Sequence, residues 1–269
     1  MAAAPFNDVK AYKPWEVDGK YFGDGREVAL IEYMYSHPLL PQLRGNPTNI
    51  LAAIDTFAQT VTGLINIGET KGEIITPLIR QNKPATMLEL GGYIGYSAIM
   101  FGDALKQAGG KKYYSVEKNP LFAAVAASLV DLAGLKDTVQ IIVGTGAEGI
   151  QRLFDDGSFQ GKKDSRLGMV FFDHHKPSYT ADLKLSEQLG LVGAQTVLVA
   201  DNMILAGNPP YAEWVRASIA EKKRMVAGAS TADILGNPNL QYRSRSVISF
   251  EPSGMEDALE ITECVGVAA

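Results

Sequence analysis

Thr86-Met87-Leu88-Glu89-Leu90-Gly91-Gly92-Tyr93-Ile94-Gly95-Tyr96-Ser97-Ala98 is the stretch on which the fold turns. A short apolar-rich run stops at a pair of glycines, and a helical pattern over 96–107 follows. Strand, glycine turn and helix together open a parallel α/β sheet. Glycines at such a turn let a ligand approach the backbone and let helix and strand pack closely. They serve a ligand-free tight turn equally well, and GGxxG alone does not separate the two readings.

Outward from this unit the alternation continues. Apolar runs at 86–90, 113–116, 139–143, 169–172 and 196–200 are separated by helical stretches at 96–107, 120–133, 148–154 and 179–189. Strands that read as continuous apolar runs between helices predict a doubly wound parallel sheet. A further helix is predicted over 211–223. The runs 240–250 and 259–265, joined by 251–258, predict an antiparallel pair that closes the sheet. The expectation is an α/β fold with a doubly wound, mostly parallel seven-stranded sheet and an antiparallel last strand. Upstream, helices are predicted at 27–37, 48–60 and 69–80, with 63–68 as a loop. Residues 1–45 read as an N-terminal extension and 46–269 as the main domain, and 155–165 as a disordered loop.

Bulk composition narrows the function. The chain has 269 residues, 25 Lys plus Arg and 30 Asp plus Glu, a net charge of -5. Nothing in that balance suggests a nucleic-acid partner. No run of eighteen apolar residues exists, so no membrane span is expected. The start of the chain lacks the basic and apolar segments of a secretory signal, and a cytoplasmic protein is expected, a monomer or weak homodimer. Cys264 stands alone, and its expected role is to fill core in a C-terminal strand.

Candidate site residues fall at strand ends. Glu117 closes the second strand, where a carboxylate can accept from both hydroxyls of a ribose; a solvated strand-end acid is the bland alternative. The glycine pattern is not GxGxxG, and Glu89 before the turn would repel a pyrophosphate while accepting from an ammonium or hydroxyl. A cationic ligand fits better than a dinucleotide. Asp173 ends the fourth strand, and Asp201-Asn202 the fifth, neighbours about 4.8 Å apart in such a sheet. Two carboxylates and an amide oxygen make a hard, all-oxygen half-shell suited to Mg2+. Helix capping by one of the aspartates is the alternative. Lys176, three residues past Asp173, is either a general base beside a cation or an exposed loop lysine. His174 and His175 are expected to line cofactor and substrate walls.

Taken together, these segments resemble the catechol O-methyltransferase family. The resemblance is carried by Met87–Ala98, Val116-Glu117-Lys118-Asn119-Pro120, Met169-Val170-Phe171-Phe172-Asp173-His174-His175-Lys176, Val199-Ala200-Asp201-Asn202 and the upstream Ile65-Asn66-Ile67-Gly68-Glu69-Thr70-Lys71-Gly72. It spans roughly 49–211, with a weaker echo at 254–261. It implies a Rossmann-like methyltransferase fold, S-adenosylmethionine and Mg2+ as cofactors, and a small aromatic diol as substrate. Position by position, it implies Asp173, Asp201 and Asn202 as metal ligands and Lys176 as general base. Ile67, Glu89, Gly91, Tyr93, Ser97, Glu117, Gly146, Asp173 and His174 would line the cofactor. Lys176, Asn202, Ile65, His175 and Ala206 would face the substrate.

The chain also departs from the family pattern. An aromatic gate before the substrate loop is Gly63 here, a wall tryptophan is His175 and a wall proline is Ala206. Two side chains at the adenine end are Gly146 and Ala147. The family's glutamate for the second substrate hydroxyl is sought at Arg245, Ser246 or Val247, with Glu251 judged a poor candidate. A caffeoyl-thioester O-methyltransferase, a hydride-transferring oxidoreductase and a catalytically silent cofactor-binding module are the rival expectations.

Overall fold

The computed structural model describes residues 6–157, 159, 166–228, 230 and 234–268. Four helices, α1 (Arg26–Tyr35), α2 (Leu40–Leu43), α3 (Pro47–Thr60) and α4 (Gly68–Asn82), precede the sheet. Strand and helix then alternate through β1 (Thr86–Leu90), α5 (Tyr96–Gln107), β2 (Lys112–Glu117), α6 (Pro120–Leu132), β3 (Val139–Val143), α7 (Gly146–Asp155), β4 (Met169–Phe172), α8 (Tyr179–Gln188) and β5 (Val197–Ala200). After α9 (Pro209–Arg216) and α10 (Ile219–Val226), the hairpin β6 (Leu240–Phe250) and β7 (Glu256–Val267) ends the fold. Local chemistry sets the helix starts. Asn46 and Asn119 cap α3 and α6 with their side chains and each is followed by proline, while Thr145 and Glu148 form a capping box on α7.

The sheet runs β3-β2-β1-β4-β5-β7-β6. The strands β1 to β5 pair in parallel, and β7 is antiparallel to both β5 and β6, as the sequence pattern predicts. Chain order reverses between β1 and β4, which opens a crevice at their carboxyl ends. Register places the site: Leu90 pairs with Phe172, and Phe172 with Ala200. The residues that follow, Gly91, Asp173 and Asp201, therefore emerge side by side.

Successive strand residues bury into opposite layers. Met87, Phe171 and Val199 pack with Ile54, Ile75 and Phe101 on one face. Leu88, Phe172 and Leu198 pack with Ile150, Leu183 and Trp214 on the other. Cys264 is buried in β7 as expected. Among the described residues no helix is long and apolar enough to cross a membrane. One prediction fails: the helix expected over 211–223 is broken. Ala217 is extended (ψ 140), and Ser218 starts α10 with its own capping box to Glu221, local bonds that outcompete helix continuation. Most of 155–165 lies outside the described residues.

Phe171 is fully buried, edge-on to Phe101 at 5.4 Å between centroids. Phe171→Ala is expected to cost about 3–5 kcal/mol through the cavity it leaves, checked by the urea unfolding midpoint.

Candidate active site

A cavity of about 1210 Å³ lies outside the carboxyl ends of β1, β2, β4 and β5. Thirteen of the sequence-predicted residues line it: Ile65, Ile67, Gly91, Tyr93, Ser97, Glu117, Gly146, Asp173, His174, His175, Lys176, Asn202 and Ala206. Glu89 and Asp201 stand behind its wall, each almost wholly buried.

At one end, Glu117 is fixed by backbone. The Tyr93 N–H donates to its Oε2 at 2.8 Å and the Asn119 N–H to its Oε1 at 2.7 Å. That leaves lone pairs directed at the cavity. Tyr93 itself holds a left-handed backbone (φ 42), a strain kept by this bond and by its hydroxyl donating to Glu27 at 2.9 Å. Beneath it, Glu89 Oε2 accepts from the Ser115 hydroxyl at 2.5 Å, whereas Oε1 is buried without a partner. Burial pushes the Glu89 carboxyl up to about 7, against the lowering bond from Ser115. A buried acceptor without a donor fits a cationic group of a ligand.

Gly146 is explained by its neighbours. A Cβ there would stand 2.2 Å from Asp182 Oδ2, because Asp182 holds His174 Nε2 at 2.8 Å across that space. His174 stacks on Tyr179 at 4.9 Å, and burial lowers its pKa against the pull of Asp182. The position that reads as a loss in the sequence is filled by this pair.

The other end is acidic. Lys71, fully buried on α4, places Nζ 2.5 Å from Asp201, 2.5 Å from Glu251 and 2.6 Å from Asp257. These three carboxylates could in principle cage a metal, with ligand oxygens within 4.8 Å of one another. The lysine ammonium already fills that role. Burial opposes its charge, but Asp201, Glu251 and Asp257 outweigh burial and raise its pKa. Asn202, in the left-handed region (φ 57), donates Nδ2 to Glu251 at 2.6 Å and to Asp257 at 3.1 Å. With its amide nitrogen so occupied, its oxygen is free to coordinate. Lys176 Nζ lies 3.3 Å from Asp173 Oδ1 and donates to the Tyr179 hydroxyl at 2.8 Å.

Four carboxyl groups (Asp173, Asp201, Glu251, Asp257) thus surround two lysines (Lys71, Lys176), two acids more than there are bases. Burial, then Asp201, push the Asp173 carboxyl up to about 7 despite Lys176. Burial and Asp201 likewise raise Glu251 against the pull of Lys71. Carboxyls whose charge is disfavoured by burial and by one another, beside an amide oxygen, fit a divalent, oxygen-seeking cation.

The structure corrects one expectation. Arg245, Ser246 and Val247 lie within β6 and none lines the cavity; Ser246 instead donates to Glu260. Glu251, dismissed from the sequence, is the carboxylate that enters the site. It follows the end of β6 just as Asp201 follows the end of β5, and that shared strand-end position was the available signal. Lys71, Asp257, Asn66 and the aromatic residues Trp15, Tyr21 and Phe22 were also missed as site residues.

Residues 46–226 match the family model described as O-methyltransferase. The chain is 34% identical over 197 residues to catechol O-methyltransferase of Bos taurus, covering 73% of this chain and 68% of that protein. It is 36% identical to catechol O-methyltransferase of Mus musculus, covering 73% and 70%. The fold matches that of an O-methyltransferase from Bacillus cereus in complex with SAH (TM-score 0.56, 17% identity, covering 88% of this chain and 97% of that one).

Because Glu89 keeps its proton more tightly when folded, its contribution to stability is complete below the unfolded value of about 4.3 and is lost as pH rises toward about 7. Glu89→Gln is expected to remove up to about 3 kcal/mol of pH dependence across that window, read from melts at successive pH values.

Proposed function

Because this chain belongs to the O-methyltransferase family, we propose that it moves the methyl group of S-adenosylmethionine to one hydroxyl of a vicinal dihydroxy aromatic, in a site built for Mg2+. The observation that carries the proposal is the gathering of Asp173, Asp201, Glu251 and Asp257 around two lysines, with Asp173, Glu251 and Lys176 lining the cavity. Asp173, Asp201 and Asn202 would hold the ion. Magnesium would supply the positive charge that favours phenolate over phenol. Lowering a phenol pKa from about 10 to neutrality takes roughly 4 kcal/mol, about what one opposite charge gives at contact in an effective dielectric of 20.

The remaining work falls to the chain's own groups. Lys176, as the neutral amine that a neighbouring divalent cation would favour, takes the proton of the hydroxyl that reacts, held in place by Tyr179 and Asp173. Glu251 accepts from the second hydroxyl, and Lys71 and Asn202 fix its carboxylate. Ile65, His175 and Ala206 wall the ring. On the donor side, Glu117 takes the ribose hydroxyls and the unpartnered Glu89 oxygen faces the ligand's ammonium. Ile67, Gly91, Tyr93, Ser97, Gly146, Asp173 and His174 shape the rest. As the carbon–oxygen bond forms and the carbon–sulfur bond breaks, sulfonium and phenolate cancel, so the leaving group needs no acid. Alignment of oxygen, carbon and sulfur is then what the cavity contributes. Among the described residues, Lys118 and Lys176 are the sole Lys or Arg lining the cavity, which favours a free diol over a polyphosphate-bearing thioester.

A panel of vicinal diols and lone phenols, assayed with and without EDTA, tests this. Turnover is expected on diols alone and is expected to vanish with chelator. Lys176→Met should lower kcat by about 10²–10⁴ while the protein stays folded. Full activity after exhaustive chelation, or equal rates on lone phenols, would refute the proposal.

A further inference from the structure

The segment before α1 crosses the mouth of the cavity and brings Trp15, Tyr21 and Phe22 into its lining. It is fastened at several points. Tyr12 donates its N–H to the Pro252 carbonyl at 2.9 Å, next to Glu251, and its hydroxyl to Asp55. The Lys13 N–H donates to the Ala58 carbonyl at 3.0 Å. Arg26, only 4% exposed, gathers the rest: Nη1 donates to the carbonyls of Trp15 (2.6 Å) and Gly63 (2.8 Å), while Nε and Nη2 grip Asp24 at 2.8 and 2.6 Å.

The shared bond to Arg26 sets Trp15 beside Gly63, two residues before Ile65 on the acceptor wall. Gly63 itself has no room for a side chain. A Cβ there would stand 2.1 Å from the Lys13 carbonyl oxygen and 2.8 Å from the Pro14 backbone. The crossing segment occupies the volume that a residue at 63 would otherwise fill. Phe22, further along, points to the opposite end: it meets Phe122 edge-on at 6.0 Å, and Phe122 meets Tyr93 at 5.3 Å. Trp15 and Phe22 thus stand toward different ends of the cavity.

We infer that Trp15 is a specificity-determining residue, the aromatic wall against which the acceptor ring packs, delivered to the cavity by an N-terminal segment whose Lys13–Pro14 backbone fills the space left by Gly63. This rests on the aromatic-acceptor proposal above. The backbone that carries Trp15 is held by the hydrogen bonds of the buried Arg26 before the ligand arrives, so less ordering cost falls on binding. A planar ring gains area and an aromatic contact there, and the orientation of the ring decides which of two adjacent hydroxyls meets Lys176.

The full chain carries two tryptophans, and Trp214 is buried in the core on the far face of the sheet, so a fluorescence change on binding at the cavity reports on Trp15. The test titrates 3,4-dihydroxybenzoate, with Mg2+ and S-adenosylhomocysteine present, into wild type, Trp15→Phe and Gly63→Ala, and assays turnover of these and Trp15→Ala. Expected are quenching in wild type and its loss in Trp15→Phe. Trp15→Ala should raise KM for the diol roughly three- to tenfold, the size of one aromatic contact, shift the ratio of the two monomethyl products, and leave KM for the methyl donor unchanged. Gly63→Ala, which must displace the Lys13–Pro14 backbone, should reproduce both effects. Turnover in wild type with unaltered KM and product ratio in Trp15→Ala would overturn the assignment of Trp15 alone. Absence of diol turnover in wild type would overturn the acceptor proposal and this one with it.

Discussion

The ammonium of Lys71 is the constraint on which the acidic half of the molecule depends. Fully buried on α4, it ties the end of β5 through Asp201, the β6–β7 turn through Glu251 and the start of β7 through Asp257. A buried charge is costly unless its partners are close and their remaining lone pairs are satisfied. Here Asp257 also accepts from the backbone N–H groups of Ile204 and Leu205, and Glu251 from Asn202. One cation thereby sets the position of three elements and of the loop that carries Asn202 and Ala206.

Two acids more than bases at this end, with Asn202 held in left-handed backbone, concentrate strain and electrostatic cost that the surrounding fold bears. At the other end Glu89 is buried with one oxygen unpartnered, and Tyr93 is likewise held in left-handed backbone.

Arg26 repeats the logic of Lys71. Its buried guanidinium collects carbonyls from Trp15 and Gly63 and pairs with Asp24, whose carboxyl it holds down at about 2. Two buried cations convert separate chain segments into fixed walls.

The sheet was legible in the sequence because strands buried on both faces must be apolar almost throughout, and their spacing by amphipathic helices leaves few alternative topologies. Asp173, Asp201, Asn202, Glu117 and Lys176 were legible for the same reason: a polar residue closing an apolar strand lands at the crevice whatever the details. The helix break at Ala217 was not, since a capping box competes with periodicity over a single turn. Glu251 was passed over because its place depends on the turn after β6, and Lys71 meets Glu251 and Asp257 across 180 and 186 residues of chain. Gly63 and Gly146 looked like losses until the Lys13–Pro14 backbone and the His174–Asp182 pair were seen in the space their side chains would need. Sequence by itself determined most of the elements and most of the strand ends that meet at the cavity, because burial period and strand termini are local properties. Only the tertiary structure decided which distant side chains share a charge and which segment fills a missing wall, because those follow from how remote elements dock.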